Sequence, residues 1–325
     1  MRIGLAGCGR IAERGYVPAA PAAPGVEVAG FADPDAERLE RCRRLWAQGG
    51  DEAPGFADVE TLLAAAPIDL LVVAAPAEHH LGLATQAAAA GVRSLVEKPP
   101  APDLADARQL AELDPQPLLA FNRRFLHGAG LADSIPAQGW LELDLELRFR
   151  RDRWGAHEAR DEALLDAGLH LIDLACHLLS AAPLAVRHAH VEHERASLEL
   201  ELTRGRARIG CATDRGHREM VSIRDRSGKL LGRTRWGGPR SRIGGLLGRP
   251  DPLVLSLQRQ LEAIREATGV PLREPPHLLL PQGPPRRLPA TAQNGVAAMA
   301  VAEAARRSAA LNGAEVTVAP VEVPA

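Results

Sequence analysis

Three sets of residues have the types and spacing to do chemistry. The first is Gly7, Gly9 and Ala12, in the order G-x-G-x-x-A within Gly7-Cys8-Gly9-Arg10-Ile11-Ala12. Gly7 permits a tight turn out of a strand. Gly9 lets a pyrophosphate approach the backbone, and Ala12 lets a helix pack close to that strand. The N–H groups at the start of the helix would then face the phosphates. An acid, Asp33, ends the second apolar strand. A carboxylate there accepts hydrogen bonds from a ribose 2′-hydroxyl and repels a 2′-phosphate, which predicts NAD. Asp33-Pro34-Asp35 also reads as a turn and helix cap. Arg38, within reach of the same ribose, keeps NADP as the alternative.

The second set is a polar stripe, Asp166, His170, Asp173 and His177, at i, i+4, i+7 and i+11 of a helix predicted over 164–179. The rest of that helix is apolar nearly all round, which predicts burial. Charges on a buried helix need partners or change protonation. The stripe is therefore either a structural hydrogen-bond network or one wall of a site. The third is Lys98, just past the end of a predicted parallel strand, where ligands of open α/β sheets bind. The chain has 39 basic residues, of which only Lys98 and Lys229 are lysines. A lysine can lose its proton at a buried site and arginine cannot. The plain alternative for Lys98 is a surface ammonium.

The elements that must position these residues alternate strand and helix over roughly the first 120 residues. Strands are expected at 1–5, 26–32, 68–75, 93–96 and 118–121, with helices at 77–90 and 102–113 between the later ones. The run at 68–75 is continuously apolar, as a central parallel strand should be. From 140 to 150 the pattern becomes strict alternation of apolar and charged residues, and 196–204, 206–213 and 219–224 continue it. That predicts a mostly antiparallel sheet with one open face. Residues 233–250 read as a Gly- and Arg-rich loop, 253–267 as an amphipathic helix, 271–289 as a Pro-rich irregular stretch and 291–311 as a final helix. Two domains are expected, 1–122 binding the dinucleotide and 123–325 binding substrate and making oligomer contacts.

The 325 residues, 46% hydrophobic and 25% charged with a net charge of −2, suit a globular protein and make no case for nucleic acid or a membrane surface. No apolar run is long enough to span a bilayer. A strand at the N-terminus leaves no room for a leader peptide. The scattered Cys8, Cys42, Cys176 and Cys211 form no CxxC pair and predict a reducing, cytoplasmic setting. His188, His190 and Glu192 alternate on a strand and read as a solvated face, not a metal site; no metal is expected. Arg233, Arg235, Arg240, Arg242 and Arg249 read as a solvated loop, with a substrate phosphate as the alternative partner.

Taken together these motifs resemble the Gfo/Idh/MocA family of oxidoreductases. The resemblance rests on G-C-G-R-I-A at 7–12, A-A-P-A-E-H-H at 74–80, E-K-P at 97–99, N-R-R-F at 122–125 and D-A-G-L-H-L-I-D at 166–173. It implies an α/β N-terminal Rossmann domain, a doubly wound parallel sheet, followed by an α+β domain with a large open-faced sheet. It also implies hydride transfer between NAD(P) and a hydroxyl or keto carbon of a sugar, sugar acid or cyclitol. The family's catalytic lysine, aspartate and histidine fall on Lys98, Asp166 and His170. Its cofactor contacts fall on Gly7, Gly9, Arg10, Ile11, Ala12, Asp33, Pro76, His80 and Glu97. His170 would be the base for the hydroxyl proton, Asp166 would bind substrate or stabilise the imidazolium, and Lys98 would stabilise alkoxide charge. Association into a dimer or tetramer through the sheet is also implied.

Two departures would reshape the pocket: Glu162-Ala163 stands where many members have a glycine pair, and Ala77 replaces a polar residue. The only tyrosine, Tyr16, lies in the N-terminal half, so the lysine–histidine type is expected over tyrosine-acid reductases. An NAD-dependent glycoside hydrolase and a non-catalytic cofactor-binding sensor are the alternatives.

Overall fold

A computed structural model describes residues 1–131, 134–151, 162–237, 251–268 and 288–320. They fall into two compact units. The first holds 1–122, 251–268 and 288–296, and the second the remainder. Residues 251–268, which the sequence reading places in 123–325, lie in the first unit because Leu257, Leu261 and Ile264 join its core.

The first unit is built on a seven-stranded sheet. Its strands are β1 (Arg2–Ala6), β2 (Glu27–Ala32), β3 (Gly55–Phe56), β4 (Leu70–Val73), β5 (Arg93–Val96), β6 (Leu118–Leu119) and β13 (Ala290–Thr291), in the order β13-β6-β5-β4-β1-β2-β3. All pairings are parallel except the edge pair β13–β6. The order reverses about β1 and β4, as in a doubly wound sheet. Every residue of β4 is buried, the expected consequence of helices covering both faces. The helices are α1 (Val17–Ala19), α2 (Ala36–Ala47), α3 (Val59–Ala65), α4 (His80–Ala89), α5 (Leu104–Ala111) and α8 (Pro252–Thr268). Aspartates start three of them. The side chains of Asp35, Asp58 and Asp103 accept from backbone N–H groups of the first turns of α2, α3 and α5.

The second unit carries a mixed seven-stranded sheet. Its strands are β7 (Leu141–Arg150), β8 (Pro183–Val191), β9 (Arg195–Leu202), β10 (Gly205–Ala212), β11 (Asp214–Asp225), β12 (Leu230–Gly237) and β14 (Val316–Thr317), in the order β12-β11-β7-β10-β9-β8-β14. One pairing, β7 with β10, is parallel and the others are antiparallel. Leu141, Leu143, Leu145 and Leu147 turn one face of β7 into core, and the helix α7 (Leu169–Leu179) packs on β7 and β10. The other face carries ion pairs: Arg206 with Glu142 at 2.7 Å, Arg208 with Asp144 at 2.8 Å and Arg187 with Glu199 at 2.7 Å. Strand β12 corrects the expectation of a loop from 233. It is a sheet-edge strand with no fully buried residue, and exposed Arg233 and Arg235 alternate only with half-buried Thr234 and Trp236, too weak a pattern to mark a strand. Arg233 and Arg235 lie on it, whereas Arg240, Arg242 and Arg249 lie outside the described residues.

The last helix, α9 (Ala292–Ala310), begins within the first unit's residues and continues through the second's. Among the described residues no helix is long and apolar enough to cross a membrane.

Candidate active site

The glycine-rich turn follows β1. Gly7 sits at φ +98°, and a Cβ there would lie 2.7 Å from the Ala74 carbonyl, so both backbone conformation and space require glycine. A Cβ on Gly9 would meet nothing within 4 Å, so this glycine leaves an open approach to the backbone. The helical bonds begin with Glu13 N–H to Gly9 O, and a π-helical turn, Ala12–Tyr16, leads into α1. The N–H groups before that bond are those a helix start offers to an anion. Arg10 is exposed at this start, Ile11 packs against the core, and Ala12 is fully buried.

Asp33 is only 6% exposed. Its Oδ2 accepts from Cys8 N–H at 2.7 Å and its Oδ1 from Asp35 N–H at 2.8 Å. The carboxylate thus ties the end of β2 to the glycine-rich turn. Each oxygen keeps a further lone pair for an incoming hydroxyl. Asp35 is the cap of α2, so the turn and cap readings hold together here. Arg38 lies 3.5 Å from both Asp33 and Asp35, with its side chain 46% exposed.

Lys98 is half-buried just past β5, at the carboxyl edge of the sheet. Glu97 is buried. Its Oε1 accepts from the Tyr16 hydroxyl at 2.9 Å and its Oε2 from Lys98 N–H at 3.2 Å. Burial, then the Glu97 charge, push the Tyr16 phenol well above its ordinary value, so it stays protonated and donates. Pro76 is exposed and starts the short turn before α4. His80 is 1% exposed, and its ring nitrogens lie 2.8 Å from Ala75 O and 2.9 Å from Pro99 O. Expected as a cofactor contact, it has both nitrogens on the chain's own carbonyls.

In the second unit the site helix departs from a regular α-helix. It opens with a π-helical turn, Leu164–Gly168, whose last bond runs from Leu169 N–H to Leu164 O, and becomes α-helical at Leu169. Asp166 therefore lies on the wide turn and His170 on the first regular one; such turns occur often at functional sites. Asp166 Oδ2 accepts from Arg151 Nε at 3.1 Å and Nη2 at 2.9 Å. His170 is 6% exposed.

The far half of the stripe is structural. Arg124 grips Asp173 through Nε at 2.7 Å and Nη2 at 2.5 Å, with both side chains buried. Burial and then the Arg124 charge push the His177 imidazole well below its ordinary value, so it is neutral. Beside Arg124, Arg123 reaches Glu219 at 3.1 Å. Glu219 also faces His127 at 3.2 Å and His217 at 3.0 Å, while the second ring nitrogen of His127 meets Thr234 Oγ1 at 2.7 Å. Burial opposes ionisation of Glu219, but Arg123 and the two histidines outweigh it and hold the carboxyl well below its usual range. The N-R-R-F motif thus supplies two arginines that neutralise two buried acids.

Sequence reasoning missed Arg124, Arg151 and Glu219 as partners. The single available signal was the double arginine at 123–124. His190 pairs with Glu192 at 3.0 Å on the exposed face, and among the described residues no group of three or more His, Cys, Asp or Glu could hold a metal ion. The four cysteines are free, and burial pushes the Cys176 and Cys211 thiols up to about 12, so they act as packing groups.

The fold and the turn define a dinucleotide-binding chain with a second, open-faced-sheet unit. Residues 1–116 match the Gfo/Idh/MocA model, described as an oxidoreductase family with an NAD-binding Rossmann fold, and this segment is similar to that family. The oxidoreductase YceM of Salmonella typhimurium is 29% identical over 180 residues, 54% of this chain and 55% of its own. An inositol 2-dehydrogenase of Leifsonia xyli subsp. xyli is 32% identical over 133 residues, 38% of this chain and 37% of its own. The chain thus spans about half the length of the first of these relatives and less of the second. The fold matches over nearly the whole chain. A myo-inositol dehydrogenase of Lactobacillus casei, solved with NAD(H) and myo-inositol, superposes with a TM-score of 0.73 at 17% identity, covering 100% of this chain and 98% of that one.

Proposed function

We propose that this chain is an NAD-dependent oxidoreductase that moves hydride between the nicotinamide and a hydroxyl or keto carbon of a sugar, sugar acid or cyclitol. The observation that carries the reading is a cofactor turn and a lysine on one carboxyl sheet edge. The turn is open at Gly9 and braced by Asp33, and the lysine is Lys98, held between buried neighbours. The relatives named as dehydrogenases agree with it.

The turn residues Gly7, Gly9, Arg10, Ile11 and Ala12 would hold the pyrophosphate of NAD and Asp33 its ribose. Glu97 and His80 act behind the surface by fixing the lysine loop. When bound, NAD supplies the hydride acceptor for alcohol oxidation and the donor for the reverse. His170 takes the hydroxyl proton during oxidation. Lys98 donates a hydrogen bond to the reacting oxygen and stabilises the charge that gathers there. Asp166, oriented by Arg151, binds a substrate hydroxyl or faces the imidazolium. The reading includes a homodimer or homotetramer joined through the charged sheet face, and a reducing cytoplasm that suits four free thiols.

A screen of sugars, sugar acids and cyclitols for net NADH formation tests this. The reading expects at least one compound to drive it. Glycoside cleavage without net cofactor change would instead mark a hydrolase. Tight NADH binding with no turnover of any compound would mark a sensor.

A further inference from the structure

Strands β4 and β5 run parallel, and their ladder closes with Glu97 N–H bonded to Val73 O at 3.0 Å. Beyond that rung the two chains part into separate loops. The His80 ring sits where the next rung would be, 2.8 Å from Ala75 O on the β4 side and 2.9 Å from Pro99 O on the β5 side. The ring is buried on the first turn of α4, so its position is set by that helix and not by the loops it joins. Carbonyl oxygens only accept, so a neutral ring donates to one of them and a protonated ring to both. Burial pulls its titration below the ordinary value, against the carbonyls and the Glu78 carboxylate. On the other side of Lys98, Glu97 is anchored by Tyr16. Both neighbours of Lys98 are therefore tied to different helices, and the lysine is the residue between two anchors.

We propose that His80 is a positioning residue for Lys98, clasping the carbonyl that follows the lysine to the end of the neighbouring strand so that the amino group keeps one place on the sheet edge. The proposal rests on the functional reading of Lys98, but the clasp has a readout of its own. The chain has two lysines, so reductive dimethylation with ¹³C-formaldehyde of the full-length protein with NAD bound labels Lys98, Lys229 and the N-terminal amine. Lys98→Arg assigns the signal. In the wild type the Lys98 resonance is expected apart from that of Lys229. In His80→Phe it is expected to move toward that of Lys229, and in His80→Gln, which keeps a donor, to return part of the way. Turnover on a compound from the screen should fall in His80→Phe through kcat, with NAD affinity held. Should His80→Phe not fold, His80→Asn, too short to bridge both carbonyls, is read in the same way. A Lys98 resonance unchanged in folded His80→Phe or His80→Asn overturns the clasp, whatever turnover does. If the resonance moves but Lys98→Ala keeps full turnover, the clasp stands and the catalytic reading of Lys98 falls.

Discussion

Arg124 closes on Asp173 with two nitrogens on two oxygens, at 2.7 and 2.5 Å, and both side chains are buried. Removing one member of such a pair strands the other charge in the core, at a cost of about 3–5 kcal/mol. Arg124→Leu or Asp173→Leu alone should therefore lower Tm sharply, while the double replacement recovers most of the loss. Thermal unfolding of the three variants checks this. Equal Tm for single and wild type would show that the pair does not support the fold.

The near half of the same stripe should behave differently. Asp166 and Arg151 are partly exposed, with side chains 19% and 18% accessible, so Asp166→Asn is expected to cost little stability and much turnover. His170→Ala should lower kcat by about 10²–10⁴-fold, the usual worth of a general base, and remove the rising limb of the pH–rate profile for oxidation. A retained limb would assign the base elsewhere.

Glu219 sets an acid limit on stability. Its carboxyl is held well below the ordinary 4.5 in the folded chain. A group depressed on folding stabilises the native state above its unfolded value, and that contribution disappears as pH falls through the folded one. Glu219→Gln should therefore lower Tm near neutrality, with the gap to wild type closing as pH falls below about 4.5 toward the folded value. A gap that stays constant with pH would contradict the assigned charge.

Asp33 braces the glycine-rich turn, and in the proposed reading it holds the ribose, so NADH should bind more tightly than NADPH. Asp33→Ala should weaken NADH by about ten- to a hundredfold, the worth of a hydrogen bond to a charged group. Fluorescence titration reads both. Tighter NADPH binding would reverse the preference and make Arg38 the phosphate partner.

How much of this was legible in the sequence depended on how local each cause is. The central strands of the first unit were readable because Gly7, Gly9 and the apolar run at 68–75 act on their own neighbours, whereas 251–268 joins that unit by packing with residues far along the chain. The stripe on α7 was visible, but its division was not. Asp173 is answered by Arg124, 49 residues away, and no spacing along one helix shows that. The π-helical turn at Leu164–Gly168 inserts extra backbone without any residue that marks it. Strand β12 was hidden because no residue on it is fully buried. His80 stands in a loop motif that reads as a cofactor contact, and only its burial shows that it serves the carbonyls of Ala75 and Pro99.

The charged face of the second sheet carries its own test. Arg206, Arg208 and Arg187 are already answered by acids within the sheet, so a symmetric partner would dock by exchanging such pairs, a contact weakened by salt. Light scattering at physiological salt should give a multiple of the 34.6 kDa chain mass. A monomer would refute the association.

The most direct test of the central claim is net NADH formation by wild type and Lys98→Ala on the same compound, with NAD affinity measured alongside. The expected result is net NADH from the wild type and a rate lower by orders of magnitude in Lys98→Ala, with NAD binding nearly unchanged. Lys98→Arg should not restore it, because the larger planar fork cannot place a donor where the compact ammonium sits. Near wild-type turnover in Lys98→Ala would contradict the account and leave the fold and the cofactor turn without this chemistry.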